Sequence, residues 1–491
     1  MRHIWLLLAF SALAAAQTNL LFVRPQEADS ATSAGEPHIV GTVPGTLRSP
    51  LVVFLPGTGA IPSQYQWLTR TVAGWGMPVI SLNYPNPLVV NTICAVTFDL
   101  NCYEQVRTEI FTGESRSSLV SVGRADSIEF RLLRLLQLLQ RQTPNAGWNQ
   151  FFEGERVLWH RIVVSGHSQG GGHAGFIAKK VRTARSVMFA GMDYNELQRR
   201  VAPWMEQPGA TPAAGFFALG HERDELVSYS TLSQLAWPAL GIDRLGGTLP
   251  ITSDDFGTVH TTRMDQVVAT GTAHSLVASD TVIFLNAAVR QSLEKAWRHL
   301  YQGAAATGVN AASYQGTAVA PASIVAFFAP GVRADRTYEL RVEGRVARVF
   351  AVAANQVNAI LPDLPAGILA DAATIELREG AQVWSGLLEI RPVAPGIFTR
   401  DFSGQGEVAA IWTGNVLTIF GTGWRGGREV RATLGGEVLA VQYAGAQPEF
   451  AGLDQMNLLV PRSLSGRVGL ELRIEVAGVV ANAVKASVPG L

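Results

Sequence analysis

The sequence predicts a doubly wound, mainly parallel α/β sheet followed by two all-β sandwich domains. Three observations carry this. Short apolar runs alternate with helical patterns from Ser49 to about Gly303. A Gly-x-Ser-x-Gly turn sits between an apolar run and a small-residue helical segment. Beyond the helical stretch that ends near Tyr301, the pattern changes to short β-type runs with turns and almost no helical period.

At 491 residues the chain exceeds what one hydrophobic core supports, so several domains are expected. Apolar residues make up 47% and charged residues 16%, which excludes a disordered chain. Lys+Arg and Asp+Glu are both 39, so there is no basic field for nucleic acid or an anionic membrane. The spacing divides the chain into residues 1–16, 17–303, 304–392 and 393–491.

The first of these segments reads Met1-Arg2-His3, an apolar run from Ile4 to Leu13, then Ala14-Ala15-Ala16 before Gln17, the pattern of a signal peptide. A secreted or periplasmic protein is expected. The apolar run is too short for a membrane span, and no later segment sustains one. Cys94 and Cys102 are the two cysteines of the chain, and in an oxidising compartment so close a pair is expected to be a disulfide. A bridge over so short a loop stabilises by about 2–3 kcal/mol, enough to pin a loop. No His or Cys partners flank the pair at zinc-site spacing, so no metal is expected, and no cofactor motif occurs.

Within residues 17–303, Leu51 to Leu55 ends at Pro56-Gly57, and Pro78 to Leu82 ends at Asn83-Tyr84-Pro85; both runs read as buried strands. Ile128, Leu132, Leu135, Leu136 and Leu139 recur at helical spacing. Arg161 to Ser165, Ser186 to Ala190 and Gly215 to Leu219 supply three further strand candidates.

The chemistry centres on Gly166-His167-Ser168-Gln169-Gly170. A Ser hydroxyl is a weak nucleophile, and a tight strand-to-helix turn projects it above the sheet edge toward a base. The small residues from Gly170 to Gly175 let the following helix pack close to the strand, which places the backbone N–H of Gln169 near a developing oxyanion. Leu55-Pro56-Gly57-Thr58-Gly59 stands where the second oxyanion donor belongs, with Thr58 preferred and Gly59 its competitor.

The chain order Ser, acid, His directs the search for the other members. Asp224 follows the strand candidate ending at Leu219 and is the preferred acid; Glu222, Glu225 and Asp193 are alternatives. His274, in a loop after the run Gln266 to Ala269, is the preferred base, with His260 as the alternative. His299 lies in the helical run Ser292 to Tyr301 and is set aside as a surface residue, while His167 is expected to shape the site.

Pro56-Gly57-Thr58-Gly59, Gly166 to Gly170, Asp224 and His274 together resemble the α/β-hydrolase superfamily over about 250 residues. Within it, Gly166 to Ala174, Tyr84-Pro85-Asn86 and the Cys94/Cys102 loop are similar to a poorly characterised bacterial hydrolase group. The resemblance implies that His274 takes the proton of Ser168, Asp224 holds the imidazole, and the N–H groups of Thr58 and Gln169 stabilise the oxyanion. The resemblance implies little about substrate; the Gly166 to Gly170 turn with the ordered acid and histidine points to a small-molecule or polymeric ester. Amide cleavage and acyl transfer on the same scaffold remain alternatives, as does an inactive surface-display or binding protein.

The β region repeats. Asn355-Gln356-Val357-Asn358-Ala359-Ile360-Leu361-Pro362 parallels Asp454-Gln455-Met456-Asn457-Leu458-Leu459-Val460-Pro461, which suggests two sandwiches of similar construction joined near Pro392. Val393 to Thr399, Phe420 to Gly423, Val441 to Gly445 and Gln455-Met456-Asn457 resemble the Ig-like C-terminal module of secreted acidobacterial proteins. That resemblance implies an accessory module that displays, anchors or binds, with cell-surface or polymer contact as its role. Trp384, Trp412, Trp424 and Tyr443 are the aromatic candidates for such contact.

Overall fold

Residues 18–47, 50–267, 272–316, 318–364 and 372–490 are described by a computed structural model. The expected signal peptide, residues 1–16, lies outside them, as does part of the strand expected at Gln266 to Ala269. Nine strands form the main sheet: β1 (Asn19–Val23), β2 (His38–Thr42), β3 (Leu51–Leu55), β4 (Val79–Ser81), β5 (Ile162–His167), β6 (Arg185–Phe189), β7 (Phe216–His221), β8 (Thr248–Pro250) and β9 (Thr261–Met264). Their order is β1-β2-β4-β3-β5-β6-β7-β9-β8. β2 pairs antiparallel with β1 and β4, and every other pairing is parallel. This is a mainly parallel sheet of the α/β-hydrolase fold.

The unbroken apolar run of β3 has a direct cause. Leu51, Val53 and Leu55 enter the core on one face of the sheet, and Val52 and Phe54 enter the core on the other. A strand buried on both sides has no polar alternation to show. Helices α1 (Gln66–Gly74), α2 (Val90–Ala95), α3 (Asn101–Thr112), α4 (Ile128–Gln142), α5 (Gln169–Lys180) and α6 (Ala287–Gln302) cover the two faces. Leu68 and Val72 of α1 share a core with Leu293, Trp297 and Leu300 of α6. Val106 of α3, Leu132 of α4 and Phe176 of α5 pack on the opposite face. Ser127 caps α4 by accepting the N–H of Phe130, and Asn286 caps α6 by accepting that of Val289.

Two expectations need correction. Among the described residues the strand before His274 is Thr261–Met264, and Gln266 and Val267 of the expected run lie outside any strand: the segment Thr-Thr-Arg-Met joins the sheet by pairing with β7 despite its polar composition. His299 is buried, with Nε2 2.7 Å from the carbonyl of Val259 and its ring stacked on Phe256.

Residues 307–390 form a four-stranded and a five-stranded sheet, with Val325, Phe327, Val357 and Ala359 of one facing Leu340, Ile375, Leu377 and Leu388 of the other. Residues 396–486 form a second facing pair of sheets, each of five strands, with Leu417, Ile419, Met456 and Leu458 facing Leu434, Leu472 and Ile474. These are β sandwiches. The sequence repeat occupies the same place in both: Gln356–Ile360 lies between Ile324–Phe328 and Arg348–Ala353, and Asp454–Leu459 lies between Val416–Thr422 and Ala440–Ala446. Each outer strand carries a register shift, between Val349 and Ala351 and between Val441 and Tyr443. Trp384 and Trp424 are core residues, which removes them as surface platforms; Tyr443 is exposed.

The first sandwich rests on the α/β layer. Ser385 Oγ donates to the carbonyl of Ala214, and Arg182 pairs with Glu343 at 2.9 Å. Arg185 spans the junction of layer and linker: its guanidinium donates to the carbonyls of Leu300 and Gly303 and lies over the Phe217 ring. Among the described residues, no helix is long and apolar enough to cross a membrane.

Candidate active site

The parallel strands β3, β5, β6 and β7 bring their C-terminal ends to one edge of the sheet, and the turns after them carry the candidate groups. Ser168 follows β5 directly and has φ 56° and ψ −120°, a backbone conformation that L-residues rarely hold. The turn is fixed from both sides. The N–H of Ser168 donates to the carbonyl of Phe189, and the N–H of Gly172 donates to that of Ser168. A Cβ at Gly170 would collide with the carbonyl of Leu55, so glycine is needed where α5 crosses the end of β3. The strained serine is therefore held on a rigid strand-turn-helix, with its side chain half-buried at the surface.

Thr58 lies in the turn after β3, beside the serine: a Cβ on Gly57 would stand 3.2 Å from that of Ser168. The Thr58 hydroxyl donates to Oε1 of Gln169 at 3.0 Å. Among the described residues, the backbone N–H groups of Thr58 and Gln169 have no acceptor. The N–H of Gly59, the competing donor, is committed to the carbonyl of Asn86 at 3.0 Å. Two uncommitted amides thus flank the serine, one of them at the N-terminus of α5, where the helix dipole favours negative charge.

Asp224 and His274 are brought together. Oδ2 of Asp224 lies 2.7 Å from Nδ1 of His274, and both side chains are almost fully buried. Burial alone would raise the Asp224 pKa. The hydrogen bond and charge of His274 and the N–H groups of Val227 and Leu226 outweigh it and hold the carboxyl below its ordinary value. An ionised carboxylate only accepts, so Nδ1 of His274 is the nitrogen that donates, and in the neutral ring Nε2 is the one with the lone pair. Glu225 contributes at the backbone, its Oε2 accepting the His274 N–H at 3.3 Å. The Ser168 hydroxyl has no hydrogen bond among the described residues. Such contacts commonly tighten only in the substrate complex.

His167 clamps the histidine loop. Its Nε2 lies 2.9 Å from the carbonyl of His274, and its ring centroid is 4.6 Å from that of His274. Its Nδ1 lies 3.0 Å from the Tyr65 hydroxyl, which in turn accepts the N–H of Gly57. The directions are consistent: the Tyr65 O–H donates to Nδ1, and His167 donates from Nε2 to the carbonyl. Burial, with the charge of nearby His274, lowers the His167 pKa to about 3, so the ring stays neutral in this role. Tyr65 has no motif around it, and nothing in its sequence neighbourhood marks it.

The alternatives lie elsewhere. Asp193 is fully buried in a bidentate pair with Arg107 of α3, at 2.5 Å for both bonds, and accepts from Trp204 Nε1 at 2.7 Å. Arg107 also donates to the carbonyl of Gln169, so the pair props the turn from below. Glu222 pairs with Arg263. His260 stacks on Phe217, with Nδ1 2.9 Å from the carbonyl of Phe216.

One wall of the site is built by the segment after β4. The N–H of Val90 donates to Oε1 of Gln169 at 3.0 Å, and Asn86 Nδ2 donates to the carbonyls of Gly57 and Ala60. Cys94 of α2 and Cys102 of α3 are joined as a disulfide, which ties this wall to the helix that carries Arg107. Among the described residues, no group of three or more His, Cys, Asp or Glu is placed to hold a metal ion.

No protein-family model and no curated protein matches the sequence. Solved structures that align include a protein from Klebsiella pneumoniae subsp. pneumoniae MGH 78578 assigned as a dienelactone hydrolase. It shows 10% identity and a TM-score of 0.32 over 58% of this chain and 99% of that one. The I9–I11 tandem of titin also aligns, at 10% identity and a TM-score of 0.14, over 38% of this chain and 66% of that one.

Proposed function

We propose that the chain is an exported serine hydrolase that cleaves carboxylic esters through an acyl-enzyme on Ser168. The observation that carries this reading is the Asp224–His274 hydrogen bond at the same sheet edge as a strained serine flanked by two uncommitted amides. The export part rests on the Met1 to Ala16 pattern and on the Cys94–Cys102 disulfide.

In the proposed reaction, Nε2 of His274 takes the proton of Ser168 as Oγ attacks the ester carbonyl. Asp224 keeps the imidazole in the tautomer this requires and stabilises the imidazolium that forms. The N–H groups of Thr58 and Gln169 receive the oxyanion; each such donor typically contributes 10²–10³ in rate, roughly 3–4 kcal/mol. His274 returns the proton to the departing alcohol, and a water activated by the same imidazole releases the acid. Ser168→Ala is expected to abolish both turnover of a short aryl ester and labelling by a fluorophosphonate. A Ser168→Ala protein that kept either would overturn the reading.

A further inference from the structure

The rim of the candidate active site carries apolar side chains in water. From Asn83 to Phe98 the chain has no charged side chain, yet Leu88, Val89, Val96 and Phe98 are exposed, Val96 at 76% and Phe98 at 78%. The same segment supplies the Val90 N–H held by Gln169, so Leu88 and Val89 stand at the mouth beside Ser168. Helix α2 is six residues long, so it carries the chain only about 9 Å onward to Val96. Leu226, two residues past Asp224, and Leu197 add exposed apolar surface at 71% and 50%.

This surface is held out rather than left loose. The Cys94–Cys102 bridge closes the loop that bears Val96 and Phe98. Asn195 Nδ2 donates to the carbonyls of Cys94 and Thr97, and Gln198 Nε2 donates to that of Phe98 at 2.8 Å, which fixes the Leu197 hairpin beside it. Soluble chains seldom keep neighbouring large apolar side chains exposed without use for them. Leu88 and Val89 adjoin the Val90 N–H held by Gln169, next to Ser168, and no charged side chain lies between Asn83 and Phe98, so the occupant that fits this surface is the uncharged substrate itself, met as a separate phase.

Resting on the ester-hydrolase reading, we infer that the rim formed by Leu88, Val89, Val96, Phe98, Leu197 and Leu226 seats the enzyme on liquid droplets of a water-insoluble, uncharged ester. The substrate class is thereby narrowed to apolar acyl esters drawn from a condensed phase. The exposed residues act by desolvating against the droplet, and the stapled loop keeps them presented without a folding step.

The test separates docking from chemistry. Ser168→Ala protein is mixed with a detergent-free trioctanoylglycerol emulsion and floated by centrifugation. The protein is expected in the oil layer, and the same protein carrying Val96→Glu and Phe98→Glu is expected at least fivefold depleted there. Leu197→Glu serves as a second variant, and thermal melts check that each remains folded. Flotation of wild-type rim and variants alike, or of none, overturns the inference, as does adsorption to a solid polyester film without flotation. With Ser168 intact, the ratio of emulsion turnover to dissolved aryl-ester turnover is expected to fall at least fivefold in the double variant. Fluorophosphonate labelling without flotation would remove the docking surface and keep the hydrolase; flotation without labelling would do the reverse.

Discussion

The carboxylate of Asp224 meets Nδ1 of His274 at 2.7 Å across fifty residues of sequence, and the Asp224 side chain has no exposed surface. Because the acid is held ionised, it dictates which imidazole nitrogen is free. Asp224→Asn would offer an amide where a carboxylate is required and favour the wrong tautomer. Under the proposed acyl-enzyme reading, and by analogy with known Ser-His-Asp triads, kcat is expected to fall by roughly 10⁴-fold with KM little altered. Steady-state kinetics on a short aryl ester measure it, and a kcat within tenfold of wild type would remove Asp224 from the role.

The chain from Gly57 through Tyr65 and His167 to the His274 carbonyl is a single file of buried donors and acceptors. Tyr65→Phe leaves the Gly57 N–H and His167 Nδ1 unpaired, a cost of about 1–3 kcal/mol for each buried group. It also frees the turn next to Thr58. A lowered urea midpoint and a several-fold drop in kcat are expected together. A variant that loses stability while kcat is unchanged would show the clamp to be structural alone.

Arg107 and Asp193 form a pair in which neither side chain reaches water. Removing one partner strands the other charge, so Arg107→Met is expected to cost about 3–5 kcal/mol. Arg107→Met with Asp193→Leu should recover much of that loss, since the desolvation penalty of both ions disappears. Denaturant unfolding of the single and double variants decides it; a double variant as unstable as the single would mean that the pair contributes more than charge balance.

Much of this arrangement is legible in the sequence, for a physical reason. Buried parallel strands show as apolar runs, and the Gly166 to Gly170 turn is tightly constrained by packing, so β3, β5 and the elbow are marked locally. Thr261–Met264 is not, because its pairing with β7 is a property of the sheet and its residues are polar. The Asp193–Arg107 pair and the Tyr65–His167 contact join residues 86 and 102 positions apart, and no local pattern encodes either. His299 shows the converse error. Its helical period is readable, but the face that meets Phe256 and Val259 is decided by a loop folded against it.

Acid should destabilise the protein well before its carboxylates titrate. His38, His167 and His260 are each lowered to about 3, chiefly by burial, and His173 and His299 are shifted in the same direction. The unfolded chain takes up these protons near pH 6.5, whereas the folded chain does not until about pH 3. Between those values the unfolded state binds more protons, so stability falls as pH falls. Each such histidine contributes up to about 1.4 kcal/mol per pH unit. Asp224, held below its ordinary value, adds a loss in the same direction at lower pH, while the raised carboxyls of Asp280 and Asp454 oppose it only near the carboxylate range. Unfolding free energies measured by urea at pH 7.5, 6.0 and 5.0 are expected to decline steeply below 6.5, and His260→Gln should flatten the slope. A stability curve level from pH 7.5 to 5.0 would mean that these imidazoles take up protons in the folded state.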